Sequence, residues 1–169
     1  STLGYEQARA LGEWLGRGKQ TFQLAVTGSM VRHRQTAEAC LSKLPEQMCL
    51  GVNRKTDAGF NEYDHHEILI RHWPSFADPT EVTRFLAEHQ NGKRAFQQIF
   101  QDAMSRWMGG MHDAEYNETW PAFRVRCVNA LRNLVDMPEP PQNVMVFTSG
   151  GTIATLCQHA LALPDKKMA

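Results

Sequence analysis

The stretch NVMVFTSGGTIATL, residues 143–156, changes character twice. Val144, Met145, Val146 and Phe147 form an apolar run, Ser149-Gly150-Gly151 interrupt it, and a second apolar segment follows. A short apolar run bounded by turn residues reads as a buried strand, and the spacing after the turn predicts a helix. A strand-to-helix turn of this kind aims backbone N–H groups at whatever lies above the sheet. LAVTGSMVRHRQTAE, from Leu24, repeats the pattern of strand, turn and helix.

Working outward, STLGYEQARALGEWLGRGKQ places Leu3, Gln7, Ala8, Leu11, Trp14 and Leu15 at helical spacing. Ser1 or Thr2 is the expected N-cap, with Gly16 and Gly18 as the stop. FQLAVTGS, from Phe22, reads as a strand ending in a turn. MVRHRQTAEACLSKL reads as a helix that turns Met30, Ala37, Cys40, Leu41 and Leu44 toward the core and ends before Pro45. MCLGVN reads as a weaker strand and TDAGFNEYDHHEIL as the start of a polar loop. From about Trp73 to Thr119 the helical segments PTEVTRFLAEHQ and KRAFQQIFQDAMSRWMGG form an expected insertion, followed by the long helix TWPAFRVRCVNALRNLV. This alternation predicts an α/β fold: a three-layer sandwich with a largely parallel sheet and a helical insertion, in a single domain over residues 1–169.

The 169 residues include 18 basic and 18 acidic side chains. Zero net charge gives no electrostatic case for nucleic acid or an anionic membrane, so any anion site must be a local concentration of positive charge. No apolar run reaches the roughly 20 residues of a membrane span, and no signal peptide is visible. Cys40, Cys49, Cys127 and Cys157 fit neither a zinc site nor a small disulfide scaffold. Reduced thiols and a cytoplasmic location are the expectation. Both ends of the chain read as cuts.

Chemistry is expected where strand ends meet helix starts. One such turn delivers Arg32, His33 and Arg34, cations that oppose the helix dipole unless an anion sits nearby. The other delivers Gly150 and Gly151, where the backbone can approach a ligand closely. Solvated arginines and a plain tight turn are the competing reading. Glu62, Asp64, His65, His66 and Glu67 cluster in sequence, but adjacent histidines point apart and rarely share an ion, so no metal is expected. Ser149 as a hydrolase nucleophile would need glycine at position 147, where the chain has Phe147. A hydrogen-bonding or structural serine fits better.

Taken together, LGYEQARALGEWL, TGSMVRHRQTAEA, FNEYD and VMVFTSGGTIATL resemble, in order, four blocks of the histidine phosphatase superfamily, the phosphoglycerate-mutase-like fold. Those blocks are its first helix, its S-x-L-x-R-A-x-Q-T-A segment, its L-x-E segment and its late strand into H-G-G. The resemblance implies that Arg32 binds phosphate, that Glu62 protonates the leaving oxygen, and that the insertion covers the substrate. Ser149 replaces the family's second histidine, so it would assist phosphate binding with Gly150 and Gly151 while lacking that residue's charge. The family's nucleophile lies in an R-H-G sequence expected ahead of Ser1; His33, followed by Arg34, and His72, followed by Trp73, do not provide one.

The implied activity is phosphoester hydrolysis through a phosphohistidine, slow or atypical, with no cofactor. Phosphoglycerate mutase activity is the less favoured variant. The rival expectation is a degenerate member that binds a phosphorylated ligand or a protein without turnover. The expected partner is a small phosphorylated molecule or a phosphoprotein, with neither nucleic acid nor membrane. The sequence names no oligomeric state.

Overall fold

A computed structural model describes residues 1–19 and 21–163. The chain divides into two compact units, one of Ser1–Glu62 with Arg126–Cys157, the other of Tyr63–Val125 with Gln158–Ala169.

The first unit opens with α1 (Thr2–Arg17), capped by Ser1, whose Oγ accepts the Gly4 N–H at 3.2 Å. The helix runs past Gly16 to its C-cap at Gly18. Its buried residues are Ala8 and Gly12, whereas Leu3, Leu11 and Trp14 are exposed. The small residues win the buried face because α1 lies very close to α2 (Val31–Leu41): a Cβ at Gly12 would sit 2.1 Å from the Cys40 carbonyl oxygen.

β1 (Leu24–Thr27) is the central strand. β2 (Asn53–Thr56) and β3 (Val144–Phe147) pair with it in parallel, so Thr27 lies level with both Thr56 and Phe147. Side chains alternate across the sheet. On one face Ala25, Met145 and Phe147 pack with Ala37, Cys40 and Leu41 of α2 and with Leu44 beyond its end. On the other, Leu24, Val26, Val144 and Val146 pack with Phe60, Ala130 and Leu134 of α7 (Trp120–Val135), and Leu156 of α8 (Gly150–Ala160). The first unit is therefore a three-layer α/β sandwich on a fully parallel sheet.

One strand differs from expectation. MCLGVN is not a strand: Glu46–Cys49 form a single helical turn, α3, Gly51 takes a positive φ of 83°, and β2 begins at Asn53. β2 reads NRKT with every residue exposed. It has no apolar alternation to mark it, and its Arg54 and Lys55 suit a sheet edge.

In the second unit α4 (His65–His72), α5 (Pro79–Glu88) and α6 (Gly92–Met108) enclose a core of Leu69, Phe76 and Ile99. The expected polar loop is partly α4, because Asp64 Oδ1 accepts the N–H groups of His66 and Glu67, both at 3.0 Å, and so caps a new helix. Tyr63, Trp107, Trp120 and Phe123 form an aromatic cluster with centroid separations of 5.2–5.9 Å. No helix among the described residues is long and apolar enough to cross a membrane.

Candidate functional site

Parallel pairing in register brings the carboxyl ends of all three strands to one end of the first unit. The ladder continues past them, with Gly28 N–H on the Phe147 carbonyl at 3.1 Å and Asp57 N–H on the Thr27 carbonyl at 2.9 Å. The loops that follow the strands are thus laid side by side, the arrangement in which open α/β sheets hold ligands.

Side chains fasten these loops together. Asn61 accepts the Ser29 N–H and donates to Ser29 Oγ, both at 2.7 Å, tying the loop after β2 to the loop after β1. Thr148 Oγ1 donates to the Phe60 carbonyl at 2.5 Å, and the fully buried Thr152 donates to the Asn61 carbonyl at 3.0 Å. Arg126 Nη1 reaches the carbonyls of Ala58, Gly59 and Asn61 at 3.0–3.1 Å. Charge-assisted contacts of this kind hold irregular backbone more firmly than neutral ones.

That fastening places Glu62 at the start of α8, where its carboxylate accepts the Gly151 N–H at 2.8 Å. A carboxylate at a helix N-terminus sits in a favourable field. Gly150, one residue earlier, is exposed, and a Cβ there would meet nothing within 4 Å.

Ser149 lies immediately before α8 and gathers two further groups. Arg32, exposed in the first turn of α2, points Nε at Ser149 Oγ from 3.1 Å. His33, only 2 % exposed, places Nε2 at 2.6 Å from the same oxygen. Burial, and secondarily the positive charge of Arg32, push the His33 pKa below its ordinary value. Arg34 turns the other way and donates to the Ser29 carbonyl at 2.5 Å. Beside Arg32 a groove of about 220 Å³ is lined by Ser1, Gly4, Tyr5, Gln35 and Thr36.

The structure therefore draws Arg32, Glu62, Ser149 and Gly151 to one place, with Gly150 adjoining. Asp64 and Glu67 belong elsewhere: the first caps α4, and the second accepts the Asn117 N–H at 3.1 Å in the other unit. Gly28, Asn61, Arg126 and Thr152 are site-shaping residues that the sequence reading left out, and His33, expected there as a cation beside Arg32 and Arg34, is instead buried, which disfavours its charged form. His33 carried a legible signal, since it precedes Ala37, Cys40 and Leu41 at helical spacing on the buried face. The contacts of Asn61, Arg126 and Thr152 have no local signature.

Solved structures share this fold. A mycobacterial glucosyl-3-phosphoglycerate phosphatase in complex with inorganic phosphate aligns over 97% of this chain and 70% of its own, with 23% identity and a TM-score of 0.56. An Escherichia coli K-12 protein assigned as an alpha-ribazole-5'-P phosphatase aligns over 97% and 68%, with 19% identity and a TM-score of 0.58. No curated protein matches the chain. The sequence model of the histidine phosphatase superfamily (branch 1) matches residues 76–169, more than half of the chain, including the β3 turn and the start of α8. With that match added to the parallel sheet and the strand-end site, the chain belongs to the histidine phosphatase superfamily.

Proposed function

We propose that this protein is a phosphohydrolase of the histidine phosphatase type, acting on a phosphoester at the carboxyl end of its sheet. The observation that carries the reading is the convergence of Arg32 and His33 on Ser149 at the first turn of α8. Arg32 spends Nε on Ser149 and keeps its two terminal nitrogens to fork onto phosphoryl oxygens. The exposed Gly150 amide adds a backbone donor at a helix start. Glu62 serves as proton donor to the leaving oxygen. The phosphoryl group is taken up by a histidine of an R-H-G sequence, which none of the seven histidines here provides.

Serine in place of the second histidine retains a donor and loses a cation. Loss of one such electrostatic donor costs roughly 10²–10³ in rate, which is why turnover is slow in this reading. Support comes from family membership and from phosphatases of the same fold; the bound inorganic phosphate belongs to the mycobacterial enzyme. The substrate is a small phosphorylated molecule or a phosphoprotein, and the protein works in the cytoplasm without a cofactor.

A second reading, a phosphate-ligand or protein binder without turnover, is favoured by one contact: Glu62 already occupies the Gly151 amide. Steady-state assays of the complete protein on a panel of phosphoesters separate the two, since the binder turns over none of them. Calorimetric titration of Arg32→Ala with inorganic phosphate tests the shared premise. Affinity should fall by ~1.5–3 kcal/mol, the worth of a charge-assisted hydrogen bond. Unchanged affinity would remove Arg32 from the site.

A further inference from the structure

Anchored on Arg32, Gln35, Thr36 and Ala37, the S-x-L-x-R-A-x-Q-T-A pattern puts its serine at Gly28 and its alanine at His33. Ser149 takes the place of the histidine in H-G-G. His33 links the other two. His33 Nε2 is 2.6 Å from Ser149 Oγ, and a Cβ at Gly28 would lie 2.2 Å from His33 Nδ1. The imidazole missing at position 149 is thus replaced by one entering from α2, and it fits because position 28 has no side chain.

We propose that His33 is a positioning residue: with Arg32 it donates to Ser149 Oγ and thereby turns the serine's own O–H toward the bound phosphoryl group. The proposal rests on the phosphate reading above. A hydroxyl oxygen has two lone pairs and one proton. Arg32, which can only donate, takes one lone pair. If His33 Nε2–H takes the other, the serine proton must find its acceptor elsewhere. Open space lies beside the adjoining Gly150, where an added Cβ would meet nothing within 4 Å.

The direction of the His33 bond follows from the rest of the ring. Burial and the neighbouring Arg32 both disfavour the imidazolium, so the ring carries one proton. Nδ1 is buried and has no hydrogen-bonding partner among the described residues. A proton there would be an orphaned buried donor, a rarer situation than an unfilled acceptor. The proton therefore belongs on Nε2. The reverse arrangement would make Ser149 a base-activated nucleophile, but among the described residues no group orients the imidazole through Nδ1 as such a pair requires.

The test uses the complete protein, orthovanadate as phosphoryl mimic, and the imidazole 15N spectrum. Ser149→His alone forces two rings into the space of one and should weaken vanadate about tenfold or more. His33→Ala combined with Ser149→His returns the ring to α8 with room vacated, and should recover to within about threefold of wild type. His33→Ala and Ser149→Ala should each cost about tenfold, and their combination no more than either alone. Additive losses, or no recovery in a double variant whose urea midpoint matches wild type, overturn the proposal. The wild-type spectrum, recorded without ligand, should show the His33 proton on Nε2; a proton on Nδ1 overturns the proposal whatever the variants do. Wild-type protein that binds no vanadate overturns the phosphate reading instead, leaving the spectrum to decide the orientation of the pair.

Discussion

The carboxylate of Glu62 accepts the Gly151 N–H at 2.8 Å, so the first turn of α8 already holds a negative group where a phosphoryl oxygen would be drawn. Two consequences separate in Glu62→Gln, which keeps the acceptor and removes the charge. Inorganic phosphate should bind more tightly, by about 1 kcal/mol, because a like charge a few ångströms away has gone. Turnover should fall more on alkyl phosphates than on nitrophenyl phosphate, since only a poor leaving group needs the proton. Equal losses on both esters would show that Glu62 positions rather than protonates.

Arg126 holds the backbone that carries Glu62. Its Nη1 is shared by three carbonyls between Ala58 and Asn61, which otherwise have no regular ladder. Arg126→Met keeps the length of the side chain and deletes the donors. Urea unfolding should register a loss of about 1.5–3 kcal/mol. Because Glu62 is fixed through the same loop, the preference for nitrophenyl over alkyl esters should shift as in Glu62→Gln. A stable variant with unchanged ester preference would uncouple the loop from the acid.

What could be read from the sequence follows from where the information is local. The β1 and β3 turns announce themselves because an apolar run, a break and a helical spacing are contiguous. β2 does not, since Asn53, Arg54, Lys55 and Thr56 are exposed and are strand only through their ladder with β1. α4 escaped notice because its cap, Asp64, sits among polar residues that also describe a loop. Arg32 and Ser149 stand out through the resemblance to the family's blocks, yet their contact joins residues 117 positions apart. His33 reads as a third cation between Arg32 and Arg34, although its spacing to Ala37 puts it on the inner face.

Gly28 is where this packing is most sensitive. Gly28→Ala adds a Cβ 2.2 Å from His33 Nδ1 and 2.9 Å from Asn61 Oδ1, side-chain atoms whose groups are held by their bonds to Ser149 and Ser29. Overpacking of this kind costs about 1–3 kcal/mol. The ring cannot retreat without leaving Ser149, so phosphate affinity should fall together with the urea midpoint. In the Gly28→Ala, His33→Ala double variant the added methyl has space, and the stability cost of the first change should largely disappear. A cost that persists there would locate the strain at Asn61 instead.

His33 also gives the protein a defined response to acid. In the folded chain, burial and Arg32 hold its pKa below 6.5, while in the unfolded chain it titrates at the ordinary value. Above that pH both states carry neutral imidazole and stability is at its full value. As pH falls below 6.5 the unfolded chain takes up a proton that the native chain refuses, so stability declines until the lowered folded-state pKa is passed. Urea midpoints measured between about pH 7.5 and pH 5 should therefore drop more steeply for wild type than for His33→Gln, whose side chain does not titrate. The two proteins differ only at position 33, which makes the difference in slope specific to it. Parallel slopes would mean that the native ring accepts its proton as readily as the unfolded one, against the buried, Arg32-flanked environment described for it.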